Sequence, residues 1–212
     1  MKKIHLLLPF AAIAIGFSAC NSSTEKTNTE AKSGLETPCN YTYNSESTVV
    51  EWTAFKFTEK APVKGTFNEI KVEALPSAES QKELLESLQF SLSTASVETQ
   101  NEERNGKIAK LFFGTIQTDA ITGKMKKIGE KGTATVEITL NKIARDVPGK
   151  YTLEDGVFTF SSTIDVVDWN ATKGINLLNE VCKDLHTGSD GKSKLWSQVD
   201  IYFSTKLESD CN

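Results

Sequence analysis

TATVEITLN, residues 133–141, alternates without a break. Ala134, Val136, Ile138 and Leu140 are apolar, and Thr135, Glu137, Thr139 and Asn141 between them are polar. Successive side chains of a strand point to opposite faces, so the pattern describes a strand with one face buried and one in water. Half-wet strands of this kind belong to antiparallel sheets. VDIYFSTKL (199–207) repeats it, with Val199, Ile201, Phe203 and Leu207 opposite Asp200, Tyr202 and Lys206. STVVEWTAFKFT (47–58) puts Val49, Thr53, Phe55 and Phe57 near one face and Val50, Trp52 and Ala54 near the other. Further strands are expected over 62–74, 87–97, 115–128 and 157–166, with turn signals at Gly129 to Gly132, Pro148-Gly149 and Asp155-Gly156.

Three stretches carry a helical spacing instead. Ser80-Gln-Lys-Glu83 reads as a capping box ahead of Leu84, Leu85 and Leu88. Arg104 to Phe113 groups Ile108, Leu111 and Phe112, and Thr172 to Leu185 groups Ile175, Leu178, Cys182 and Leu185. A mainly β chain of about eight antiparallel strands with two or three short inserted helices predicts a closed barrel rather than a parallel α/β sheet.

The 212 residues carry a net charge of −4, which argues against nucleic acid, where a basic face supplies most of the affinity. The amino terminus reads as a processing signal: Met1-Lys2-Lys3 is basic, and Ile4 to Phe17 is apolar but shorter than the roughly 20 residues of a membrane span. Ser18-Ala19 offer the small residues of a cleavage site, and an ordinary secretory signal with Cys20 incidental is one reading. FSAC (17–20) also resembles the lipobox of a bacterial lipoprotein signal, in which Cys20 becomes the first mature residue and carries acyl chains. Each buried CH₂ of such a chain contributes about 0.8 kcal/mol of membrane affinity. The expected organisation is a signal peptide over 1–19, a flexible tether over 20–38 and a barrel domain over 39–212. Removing 1–19 takes two lysines and brings the charge to −6. The tether reading rests on Ser, Thr, Asn, Glu and Lys, which cannot bury enough surface to offset ordering entropy.

Catalytic signatures are sparse. His186 is the single histidine of the mature chain, no G-x-S-x-G, G-x-G-x-x-G, P-loop or H-E-x-x-H motif is present, and no metal site or cofactor is expected. Cys182 and His186 stand four residues apart near Asp184 and Asp190, so a Cys-His nucleophile or a metal is conceivable. The plainer reading makes Cys182 a core residue and His186 a helix end. The acidic pairs Asp165 with Asp168 and Glu102 with Glu103 arise readily by chance among 28 acidic residues. In an even-stranded closed barrel the first and last strands are antiparallel neighbours, so closure would permit a Cys39–Cys211 disulfide. The aromatic residues Trp52, Phe55, Phe57, Phe67, Phe90, Phe112, Phe113, Phe158, Phe160, Trp169 and Phe203 spread over nearly every element. They either fill the barrel or line a cavity for one apolar ligand, and composition does not choose.

VVEWTAFKFTEKAPVKGTFNEIKV (49–72) resembles the first hairpin of the YceI-like family, with its V-x-G-x-F at Val63, Gly65 and Phe67. FSLSTASVETQNEERNGKIAKLFFGTI (90–116) resembles its middle signature: Ser96, Val97 and Thr99, then Arg104 with Asn105 where the family has Asp, then Phe112-Phe113. LLNEVCKDLHTGSDGKSKLWSQVDI (177–201) is similar to a carboxy-terminal block of lipoprotein or secreted branches from Bacteroidetes-type bacteria. The resemblance covers most of 41–208. It implies an extended, lipocalin-like antiparallel barrel, export from the cytoplasm and no established catalytic activity. It also implies a long apolar cavity for a polyisoprenoid such as an isoprenoid quinone or polyprenyl phosphate, and so favours lining over filling. A filled-barrel envelope module and an enzyme using Cys182, His186 or an acidic pair remain the alternatives.

Overall fold

The structure is a computed structural model, and it describes residues 39–210. The signal peptide, Cys20, the tether and Cys211 lie outside the described residues. Cys39 is disulfide-bonded. Beside it the two ends of the described chain clasp each other, Asn40 N donating to Asp210 Oδ1 at 2.7 Å and Asp210 N to Asn40 O at 3.1 Å.

The chain is mainly β. Its strands are β1 (Tyr41–Lys56), β2 (Ala61–Phe67), β3 (Ile70–Glu73), β4 (Gln89–Ser93), β5 (Val97–Glu98), β6 (Ala120–Ile128), β7 (Thr133–Leu140), β8 (Ile143–Glu154), β9 (Val157–Asp165) and β10 (Leu195–Ser209). All pairings are antiparallel, and the sheet runs β3-β4-β6-β7-β8-β9-β10-β1-β2-β5 as it curls. The two ends of that order meet. β2 runs into β3 through residues 68–69, and β4 into β5 through the 3₁₀ turn Thr94–Ser96. Across the bend Asn68 N donates to Ser96 O (2.9 Å) and Ser93 N to Glu69 O (3.1 Å). Counted as continuous runs, the ten strands are eight staves, each bonded to both neighbours along at least part of its length.

β7 behaves as its alternation requires: Ala134, Val136, Ile138 and Leu140 are all buried. The stretches 62–74 and 87–97 are each divided by the bend into two strands, β2 with β3 and β4 with β5. The stretch 115–128 begins as a strand only at Ala120, because Gly114 to Gln117 close the preceding helix. Pro148-Gly149 is not a turn but the interior of β8. β9 pairs with β8 only from Lys150 onward, and the Pro148 carbonyl on that side takes Ser162 Oγ at 2.8 Å. A proline is tolerated where no ladder donor is required of it.

The helices are short. α1 (Gln81–Glu86) is capped by Ser80, whose Oγ accepts from Glu83 N, and it drives fully buried Leu84 and Leu85 into one end of the barrel. α2 (Glu102–Lys107), capped by Asn101, continues as a π-helical turn over Ile108–Phe113. α3 (Thr172–Val181) is followed by a 3₁₀ turn, Lys183–His186. α3 comes close to the π turn at Gly174, where a β-carbon would stand 2.7 Å from Phe112 Cδ2.

Candidate functional site

The barrel is hollow. An elongated cavity of about 460 Å³ runs from Leu88, Phe90 and Met125 near α1 to Leu185, His186 and Trp196 near the end of α3. That volume falls within the roughly 300–1,000 Å³ of small-molecule pockets. Side chains of β1, β2, β3, β4, β6, β7, β9 and β10 form its sheet wall, and α2, the π turn, α3 and the turns at Val166 and Lys183–His186 form the rest.

Eight of the sequence-predicted aromatics stand on this wall: Trp52, Phe55, Phe67, Phe90, Phe112, Phe113, Phe160 and Phe203. Three do not. Phe57 follows β1 at φ 62°, outside the alternation, and its ring lies under Lys56 Nζ at 4.5 Å. Phe158 has no exposed surface and is packed between Tyr151 (ring centroids 5.7 Å apart) and Phe203 (6.2 Å). Trp169 is a buried strut whose Nε1 donates to Ile138 O at 3.1 Å, while its carbonyl accepts from Asn141 Nδ2 at 2.8 Å.

A void survives among so many rings because some lie flat over glycines. A β-carbon would stand 2.2 Å from Trp52 Cζ2 at Gly65, 2.3 Å from Phe90 Cζ at Gly123 and 2.4 Å from Phe160 Cζ at Gly149. Trp52 faces Gly65 and Phe90 faces Gly123 as direct cross-strand pairs. Pressed against the sheet, these rings occupy the wall and leave the axis open.

The π turn also shapes the cavity. Gly114 N donates to Ala109 O (2.9 Å) and Thr118 N to Phe113 O (3.1 Å), both i→i+5 bonds. The wider turn brings both Phe112 and Phe113 to the cavity beside Ile108, whereas the α-helical spacing expected there places Leu111 with Ile108 and Phe112.

One end of the cavity is polar and open. Leu185, on its rim, is 56% exposed, and Asn101 and Glu103 also reach solvent. Lys56, Arg104, Lys107, Cys182 and His186 stand there too. Arg104 donates from Nε to Thr99 Oγ1 and from Nη2 to Thr99 O, both at 2.9 Å. Asn105 Oδ1 accepts from Thr99 N (2.8 Å) and Oγ1 (2.6 Å), and its Nδ2 donates to Glu98 Oε2 (3.1 Å). Lys107 pairs with Glu103 at 2.6 Å. The half-buried His186 ring has its Nδ1 engaged by Asn179 Oδ1 at 3.1 Å. Burial first, and then the charges of Lys56 and Lys107, hold its proton affinity below the ordinary value. Trp196 joins the rim, with Nε1 bonded to Phe57 O (2.7 Å) and the Nζ atoms of Lys60 and Lys194 at 4.4 and 4.7 Å from its ring.

This cationic rim escapes a reading by motif, since Lys56 comes from β1 and Arg104 and Lys107 from α2. The available signal is the i,i+3 spacing of Arg104 and Lys107 on a helix that also carries Phe112. Cys182 is a buried free thiol on the wall. Asp165 caps the 3₁₀ turn Val166–Trp169 by accepting from Val167 N, and neither it nor Asp168 reaches the cavity. Among the described residues no group of His, Cys, Asp and Glu is gathered as a metal site, and no helix is long and apolar enough to cross a membrane.

A family model described as the YceI-like domain matches residues 41–207. Among solved structures, a polyisoprenoid binding domain from Saccharophagus degradans implicated in plant cell wall breakdown is similar, with a TM-score of 0.57 at 15% identity over 80% of this chain and 98% of that one. BcnA from Burkholderia cenocepacia is similar as well, with a TM-score of 0.51 at 16% identity over 78% and 99% of the two chains. At these identities the likeness is one of fold. No curated protein matches this chain.

Proposed function

The chain belongs to the YceI-like family, and on that premise we propose that it binds or carries an apolar isoprenoid-type lipid in the barrel, without catalysis. The observation that carries this reading is the apolar cavity of about 460 Å³ with an open polar end. An isoprenoid chain is flexible and insoluble, and removing its surface from water is worth roughly 25 cal/mol per Å². A long, narrow, apolar bore provides that burial, and a few polar groups at its mouth provide orientation. An isoprenoid quinone and a polyprenyl phosphate both have such a chain. The description of the Saccharophagus degradans domain as polyisoprenoid binding supports the same class of ligand.

The proposal extends to place. Acyl chains on Cys20 would hold the protein in the bacterial cell envelope after export, with residues 20–38 as the tether, and a Cys39–Cys211 bond would join the ends of the barrel chain. The void weighs against a filled-barrel interaction module.

The test is native mass spectrometry of the full chain, purified in mild detergent from bacterial membranes, before and after organic extraction. The expected result is a species heavier than the acylated polypeptide by one prenyl lipid, with the extra mass lost on extraction. A mass that stays bare after incubation with prenyl lipids overturns the carrier reading.

A further inference from the structure

The mouth of the cavity is unevenly charged. Three cations, Lys56, Arg104 and Lys107, stand on its wall with two carboxylates, Glu51 and Glu103, and among the described residues only Glu103 lies within ion-pair distance of any of the three. Among the described residues no carboxylate pairs with Arg104 or Lys56. The neighbour that could have neutralised Arg104 is an amide, Asn105, and it is turned to Thr99 and Glu98.

Arg104 is also held in one orientation. Its two bonds to Thr99 fix the guanidinium plane and leave Nη1 without a partner among the described residues. Lys56 gives one bond to the Leu185 carbonyl at 3.2 Å, which leaves two of its three donors. His186 stands among these groups in a field that disfavours a further positive charge. Donors with net positive charge, fixed in place at the end of an apolar bore, match a monoanionic or dianionic oxyacid. A neutral head would leave the two unpaired cations uncompensated beside the apolar wall.

We propose that the lipid taken by this cavity has an anionic head, a phosphate or a carboxylate, bound at the mouth by Arg104, Lys56 and Lys107. This rests on the reading of the cavity as a lipid site, and it makes a prenyl phosphate a better ligand than a quinone of equal tail. Glu103 keeps Lys107 near the rim, where an incoming oxyanion can compete for it.

The experiment measures binding to the delipidated full chain by calorimetry with four probes: geranylgeranyl phosphate, geranylgeraniol, palmitate and inorganic phosphate. The phosphate lipid is expected to bind at least about tenfold more tightly than the alcohol, and that ratio should shrink as salt rises. The ratio should fall severalfold in Lys56→Gln and further in Arg104→Gln. Because Arg104 also anchors Thr99, Lys56→Gln is the deciding variant if Arg104→Gln fails to fold. Palmitate binding with the same loss in Lys56→Gln assigns the site to oxyanions in general, and failure of palmitate alone assigns it to phosphate. Equal affinity for phosphate and alcohol, or a preference that survives Lys56→Gln and salt, overturns the anionic head while leaving the lipid cavity standing. Failure of both prenyl probes overturns the lipid reading itself. Inorganic phosphate binding as tightly as the phosphate lipid would show an anion site unrelated to a lipid and overturn the proposal.

Discussion

Gly65, Gly123 and Gly149 decide whether this barrel is hollow, although none of them touches a ligand through a side chain. Each accepts an aromatic ring at a distance no β-carbon would allow. At Gly123 an added methyl would meet both Phe90 Cζ and the Glu137 carbonyl at 2.3 Å. One neighbour is backbone, so the ring has to lift off the sheet and into the bore. Overpacking of this kind costs about 1–3 kcal/mol. Gly123→Ala is therefore expected to lower the unfolding free energy by that amount and to reduce the quantity of co-purifying lipid, as read by urea unfolding and lipid extraction. In the sequence the aromatics are legible as a set, but not their placement. Alternation marks two faces of a strand without naming the inner one. It also cannot foresee that Phe57 leaves the strand for a left-handed turn, or that Trp169 is fixed by the Ile138 carbonyl.

Elements differ in how plainly the sequence announces them, and the reason is physical. β7 reads cleanly because its buried residues alternate strictly with less buried ones, and both neighbours pair with it along most of its length. The bend at residues 68–69 has no such signature, since Asn68 and Glu69 break a stave through long-range bonds to Ser93 and Ser96. The π turn is likewise fixed by contacts with α3. α1 lies at the legible extreme: a serine cap followed by a run of leucines. It is also a plug, placing Leu84, Leu85 and Leu88 at the end of the barrel away from the cavity's polar end. Ser80→Ala removes its cap and is expected to cost about 1 kcal/mol, seen as a lower melting temperature, while Ser80→Thr should retain most of that stability. A second hollow of about 930 Å³ lies at this end, around Tyr41, Lys82, Lys127 and Tyr151, and its wall mixes charged with apolar groups.

At the scale of the molecule, eight staves form one curled antiparallel circuit, in which Tyr41–Glu51 of β1 has no ladder on the side away from β10 beyond the isolated Tyr41–Ala78 bridge. The circuit has a kinetic consequence. Where the staves of the cavity wall are laddered, they cannot part without breaking a ladder, so a lipid enters most readily where the wall is not sheet. That part consists of α2, the π turn and α3 with its 3₁₀ turn, held to the sleeve by side chains. Segments of this kind open locally at lower free energy than the core strands. Amide hydrogen exchange should therefore be fastest over 101–113 and 172–186 and slowest in β7, β8 and β9, with a bound lipid slowing the first set and leaving the second unchanged. Equal protection across both sets would place the entry route elsewhere. On this view the strands set how tightly the lipid is held, and two short helical segments set how long it stays.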